Sequence, residues 1–229
     1  MNIVKLLFLS TLLLTFCGAF SQTDEELGLH SEGGAWSFFP AKEKNDSLKK
    51  VLLIGDSVMN GFHQSVIDSL KKCASVDYWL TPKHLKSEYL LEDLAAVVSS
   101  NKYDVIQFNI GLHGWPKGRI LDHEYLPLLE KYVNTLIENA NGANLIWASI
   151  TPVTEEGNPV LNQEINPRIA KRNEWAAAVM KKYNIPINDL YSLVENKLDL
   201  AKLDRWHWKP EGYVLMADQS VKCIVQELY

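Results

Sequence analysis

The sequence predicts a three-layer α/β/α sandwich built on a five-stranded, mostly parallel sheet. Short apolar runs alternate with helical patterns from Lys49 to the end of the chain. Such alternation implies right-handed crossovers and a parallel sheet covered on both faces. The runs are also apolar almost throughout, as in Val51-Leu52-Leu53-Ile54. Strands buried on both sides require that pattern, whereas half-buried strands alternate polar and apolar residues.

The elements follow in order. "KKVLLIGD" is the first strand, and a helical pattern through Val58, Val66, Ile67 and Leu70 follows it. "SVDYWLT" is the second strand, and "SEYLLEDLAAVVSS" the second helix, with Ser87 as its expected N-cap. "YDVIQFNIG" is the third strand. "DHEYLPLLEKYVNTLIENANG" is the third helix, with acidic residues in its first turn and Gly142 just past its end. "ANLIWASIT" is the fourth strand, "PRIAKRNEWAAAVMKKY" the fourth helix and "IPINDLY" a short fifth strand. The last helix, "KPEGYVLMADQSVKCIVQELY", places Pro210 in its first turn.

These elements make one domain over residues 49–229, within the usual size of a single core. Residues 1–21 read as a secretory signal peptide: Lys5, an apolar run to Phe16, then Ala19-Phe20-Ser21 before the expected cleavage at Gln22. The apolar run is too short for a membrane span. Lipid anchoring through Cys17 is disfavoured, because the bulky Phe16 precedes it. The mature chain is therefore expected to be exported, to the periplasm or outside. Residues 22–48 are polar and read as an exposed leader, except that "AWSFF", Ala35 to Phe39, is aromatic enough to pack on the domain edge.

Loss of Lys5 with the signal peptide moves the net charge from −5 to −6. An acidic chain without basic blocks is poorly suited to nucleic acid or anionic membrane. Cys73, at the end of the first helix, and Cys223, in the last, remain in a disulfide-permitting compartment. A bridge between them and two free thiols are both open at this stage.

In parallel sheets ligands bind beyond the carboxyl ends of the strands. Four polar clusters fall there: Asp56-Ser57, Asn109 to Trp115, Thr151-Pro152 and "LDRWHWKPEG". Ser57 at a strand-to-helix turn is either an N-cap or a nucleophile, and the second role needs a base. Asp204 and His207, three residues apart on one loop, supply it. The carboxylate holds the Nδ1 proton, and Nε2 takes the serine proton.

Those residues carry a family resemblance. "GDS" after the first strand, "GLHG" after the third and "DRWHWKPEGY" before the last helix resemble the SGNH (GDSL-type) hydrolases, over essentially all of 49–229. The resemblance implies a flavodoxin-like sandwich, Ser57 as nucleophile and Asp204 and His207 as acid and base. It also implies that the Ser57 N–H takes part in the oxyanion hole, and that no metal or cofactor is used. Members include O-acetyl esterases of polysaccharides, lipases and thioesterases.

Two departures bear on the oxyanion hole. The family's glycine after the second strand is missing, since no glycine occurs between Gly61 and Gly111. Backbone N–H groups near Thr81 or Lys83 are the expected substitutes. The family asparagine after Gly111 is replaced by His113, which can donate to an oxyanion, as could Asn109. This turn also resembles plant-type polysaccharide O-acetyltransferase and esterase relatives.

Trp115, Trp206 and Trp208 are candidates for a sugar-stacking rim, with edge packing as the plain alternative. Arg168 and Arg172 are expected on a solvated helix face. His84, Asp122 and His123 lack the tight spacing of metal ligands. The expected function is a secreted serine esterase acting on small acyl esters, O-acetyl first, of a small molecule or polysaccharide. A polysaccharide O-acyltransferase and a non-catalytic carbohydrate-binding protein are the alternatives.

Overall fold

The computed structural model describes residues 23–42, 45 and 47–229. The expected signal peptide and Cys17 lie outside the described residues. A short helix α1 (Asp24–Leu27) and a two-residue strand β1 (Phe38–Phe39) precede β2 (Lys49–Gly55) and α2 (Ser57–Leu70). Then come β3 (Ala74–Leu80), α3 (Leu90–Ser99), β4 (Val105–Phe108), α4 (Asp122–Asn139) and β5 (Asn144–Ala148). A small hairpin of β6 (Thr154–Glu155) and β7 (Asn158–Leu161) leads into α5 (Asn166–Lys182) and β8 (Ile187–Asn188). Helices α6 (Leu190–Val194) and α7 (Pro210–Leu228) close the chain.

The sheet order is β1-β3-β2-β4-β5-β8. All neighbours are parallel except β1, which runs antiparallel to β3 with Phe38 opposite Trp79. The five expected strands are β2, β3, β4, β5 and β8, and the sheet gains a sixth. Phe38 is buried, and pairing it against β3 covers an otherwise open sheet edge.

Residues along β2 alternate between two cores. Leu52 and Ile54 pack with α3, α4 and α5 residues such as Leu94, Leu129 and Ala176. Val51 and Leu53 pack with α2 and α7 residues such as Val66, Met216 and Ile224. Both faces are therefore dry, which explains the unbroken apolar run.

Helix α3 begins at Leu90, later than a cap at Ser87 implies. The Ser87 hydroxyl instead accepts the His84 N–H at 2.9 Å and closes a local turn. Helices α2 and α7 pack side by side, and a Cβ on Gly61 would lie 2.1 Å from the Tyr213 ring. Glycine there lets the first turns of the two helices meet. Cys73 and Cys223 are free thiols, each half-buried.

Candidate active site

The turn after β2 is set by close packing. A Cβ on Gly55 would come 2.7 Å from the Met59 Cβ, so the strand can enter the helix this sharply only with glycine. Asp56, not Ser57, is the N-cap, its Oδ1 accepting the Val58 N–H at 2.9 Å. Ser57 is the first helical residue, and its hydroxyl is left free of capping. Its N–H belongs to the first turn of α2, where amides lack partners within the helix and the dipole favours negative charge.

The loop before α7 meets it there. Ser57 Oγ lies 2.9 Å from His207 Nε2, and His207 Nδ1 lies 2.8 Å from Asp204 Oδ2. Asp204 Oδ1 accepts the N–H groups of Trp206 at 3.1 Å and His207 at 2.9 Å. Burial pushes the Asp204 carboxyl up, but the His207 N–H, the His207 ring and the Trp206 N–H outweigh it and hold the group below its ordinary range. Side-chain exposures of 31% for His207 and 41% for Asp204 leave the pair reachable from solvent.

Asp56 is buried beside this array. Burial raises its pKa, with His113, the Val58 N–H and His207 opposing. A cavity of about 20 Å³ beside the turn is lined by Asp56, Phe62, Asn109, Leu112 and Thr151. That is room for roughly one water.

The loop after β3 does not supply the expected substitute amides. The Thr81 N–H is donated to the Gly55 carbonyl at 2.9 Å, and the Lys83 N–H to Thr81 Oγ1 at 3.1 Å. The His84 N–H is taken by Ser87. The turn after β4 carries the other candidates. Gly111 precedes a single 3-10 turn, Leu112–Gly114, that carries His113. A Cβ on Gly111 would sit 2.2 Å from Ile150 Cδ1, so the turn packs too tightly for a side chain. Asn109 gives one amide hydrogen to the Ala148 carbonyl at 2.7 Å.

Of the three tryptophans, Trp115 and Trp206 pair with ring centroids 5.0 Å apart and stay half-buried beside the His207 loop. Trp208 is not on the rim: it is 1% exposed and packs against Gly212 and Leu200 in the core. His207 and Trp208 are consecutive in an extended stretch that bridges to Ala201. Successive side chains there point opposite ways, so the residue after one facing Ser57 faces inward.

Arg172 also departs from its expected solvated face. It is 1% exposed and donates to the Gly114 carbonyl at 2.8 Å and the Ile120 carbonyl at 3.0 Å, over the Tyr125 ring. It ties Gly114, which lies between His113 and Trp115, to Ile120 farther along the same loop. A guanidinium suits the position because its fixed fork reaches two carbonyls at once. Among the described residues no three His, Cys, Asp or Glu side chains are grouped to hold a metal ion.

No family model matches the chain, and no curated protein matches it. Solved structures do. A member of the lipolytic G-D-S-L family from Veillonella parvula is 16% identical with a TM-score of 0.63, over 78% of this chain and 99% of its own. A carbohydrate esterase family 3 protein from Talaromyces cellulolyticus is 15% identical with a TM-score of 0.63, over 79% and 98%. An acetyl xylan esterase from Geobacillus stearothermophilus is 14% identical with a TM-score of 0.61, over 79% and 94%. No helix among the described residues is long and apolar enough to cross a membrane. The chain has the fold of the GDSL-type (SGNH) ester hydrolases.

Proposed function

We propose that the protein is an exported serine esterase that removes small acyl groups, acetyl first, from carbohydrate esters. The observation that carries this reading is the chain of hydrogen bonds from Asp204 through His207 to Ser57, at 2.8 and 2.9 Å. Ser57 Oγ attacks the ester carbonyl while its proton passes to Nε2. The imidazolium, steadied by Asp204, returns that proton to the departing sugar oxygen. Water, deprotonated by His207, then attacks the acyl-enzyme, releasing the acid and restoring the Ser57 hydroxyl.

The oxyanion is received by the Ser57 N–H at the head of α2 and by the His113 ring. Asn109 and Gly111 hold the turn that places His113. The amides at Thr81, Lys83 and His84 are committed elsewhere, so these three do not replace the missing loop glycine, and His113 stands where the family has its asparagine. Trp115 and Trp206 offer flat surface to the sugar. Support for the carbohydrate ester comes from these rings and from the esterase names among the structural neighbours. Support for export comes from the signal-peptide pattern of residues 1–21.

The test is Ser57→Ala. Hydrolysis of p-nitrophenyl acetate should fall on the order of 10⁴-fold with folding intact. Unchanged turnover would end this reading.

A further inference from the structure

We propose that the N-terminal arm, residues 23–42, forms part of the substrate site, and that Trp36 is a specificity-determining residue seating a sugar ring of an O-acylated oligosaccharide. The proposal deepens the esterase reading and rests on it for the position of the ester. Three observations carry it.

The first is where the arm ends up. The Trp36 ring stands 5.9 Å from the His113 ring, at 86° to it. His113 lies two residues before Trp115, which pairs with Trp206. All three tryptophans are half-buried. A tryptophan from the arm thus adds a third flat ring to the loop edge where an ester would reach Ser57. A site for a single acetyl group needs no such span; one for a chain of sugars does, because each ring offers a C–H face to an aromatic surface.

The second is how the arm is held. Asp93 and Lys83 have side chains only 1% and 4% exposed, and their charges meet at 3.0 Å. Burying charges costs several kcal/mol each unless partners compensate. Here the remaining partners are on the arm: the His30 N–H and Nδ1 meet Asp93 Oδ1 at 3.0 and 2.9 Å, and Lys83 Nζ donates to the His30 carbonyl at 3.1 Å. Asp77, also buried, accepts the Ala41 N–H at 2.8 Å on one oxygen and the Tyr103 hydroxyl at 2.8 Å on the other. The domain thus carries two buried acids, each of which takes hydrogen bonds from the arm. The His30 ring stacks on Tyr89 with centroids 3.8 Å apart, adding a further contact.

The third is local rigidity at the tryptophan itself. Gly33 and Gly34 take left-handed φ values of 77° and 62°. The turn they make closes with the Trp36 N–H on the Gly33 carbonyl at 3.2 Å, and Ser31 Oγ donates to the Trp36 carbonyl at 3.2 Å. From Ser37 the chain enters the sheet, its carbonyl accepting the Leu80 N–H at 3.0 Å. Trp36 is therefore presented from a fixed backbone, which lowers the entropy lost on binding.

The experiment uses Ser57→Ala protein, which retains bound ester, titrated calorimetrically with O-acetylated xylo-oligosaccharides. Adding Trp36→Ala should weaken binding about tenfold, and Trp36→Phe should recover most of it. Equal affinity with and without Trp36, or no binding in either protein, overturns the proposal. With active enzyme, Trp36→Ala should lower kcat/KM on acetylated xylan about tenfold more than on p-nitrophenyl acetate, the difference residing in KM. An equal fall on both substrates makes Trp36 a mere support for His113 and also overturns it. Hydrolysis that does not depend on Ser57 sinks the esterase reading alone, and the titration still decides Trp36.

Discussion

The carbonyls of Leu203 and Arg205, on either side of Asp204, are both gripped by the β6–β7 hairpin. Gly157 donates its N–H to Leu203 at 2.9 Å and Thr154 donates to Arg205 at 3.1 Å. The Arg205 guanidinium also pairs with Glu156 at 3.0 Å. Arg205 needs that grip, because it sits at a φ of 79°, where a side chain costs roughly 1–2 kcal/mol. The hairpin therefore holds the carboxylate that orients His207, from outside the main sheet.

Arg205→Gly relieves the backbone strain and deletes an ion pair that is largely exposed, and such pairs contribute about 0–1 kcal/mol. Stability should stay within about 1 kcal/mol of wild type, by urea unfolding. Turnover of p-nitrophenyl acetate should nonetheless fall several-fold, as the loop around Asp204 loosens. A variant as active as wild type would show that the ladder to the hairpin suffices without the arginine.

Asp204→Asn keeps the size of the side chain and changes what faces His207. An amide NH₂ on Nδ1 forces the proton to Nε2, the wrong tautomer to accept from Ser57. In the Ser-His-Asp template that error costs about 10⁴ in kcat. The sign for stability follows from the lowered pKa. A depressed carboxyl contributes stability above its unfolded value, near 4, and loses it as pH falls through the folded value. The part of the stability gap between wild type and Asp204→Asn that comes from this carboxyl should thus be lost as pH falls below about 4, as thermal melts at acid pH would record.

Arg172→Met tests the loop clamp. Removing the guanidinium leaves the Gly114 and Ile120 carbonyls without their donors, and each orphaned buried group costs about 1–3 kcal/mol. A loss of about 2–5 kcal/mol is expected in denaturant unfolding. Arg172→Lys should recover little, because one ammonium cannot serve two carbonyls in a fixed fork. Recovery by lysine to within 1 kcal/mol would mean that charge, not geometry, is what the loop requires.

The strands and helices were legible because each satisfies a local rule: β2 is apolar on both faces and α7 opens with Pro210. That Ser57, Asp204 and His207 come together was legible because residue type, spacing and strand-end position agree. Trp208 was misread because type and neighbourhood point to the rim, while the alternation of an extended segment turns it into the core. Arg172 was misread because helix periodicity says nothing of which loop carbonyls a helix meets. The hold of the hairpin on Leu203 and Arg205 rests on backbone groups, which leave no mark on residue identity. The same is true of the spent amides at Thr81, Lys83 and His84. Phe38 signalled burial by its type, but pairing with Trp79 is a long-range register that no local pattern encodes.

Asp56→Asn separates capping from charge. Asparagine caps α2 about as well as aspartate, so the Val58 N–H keeps its acceptor. What disappears is a buried carboxylate whose pKa burial raises. With the folded value above the unfolded one, native protein binds more protons than unfolded protein in the window between them. Stability then falls as pH rises through that window. Below it both states are neutral at this site, and the group has no effect. Relative to wild type, Asp56→Asn should therefore gain stability as pH is raised from about 3 toward 7. Activity should move the other way, since His113 and His207 are the groups that face this carboxylate and lose its field. Thermal melts and p-nitrophenyl acetate rates on the same samples check both. A stability difference that is constant with pH would mean that Asp56 ionises in the folded protein as it does in the unfolded chain.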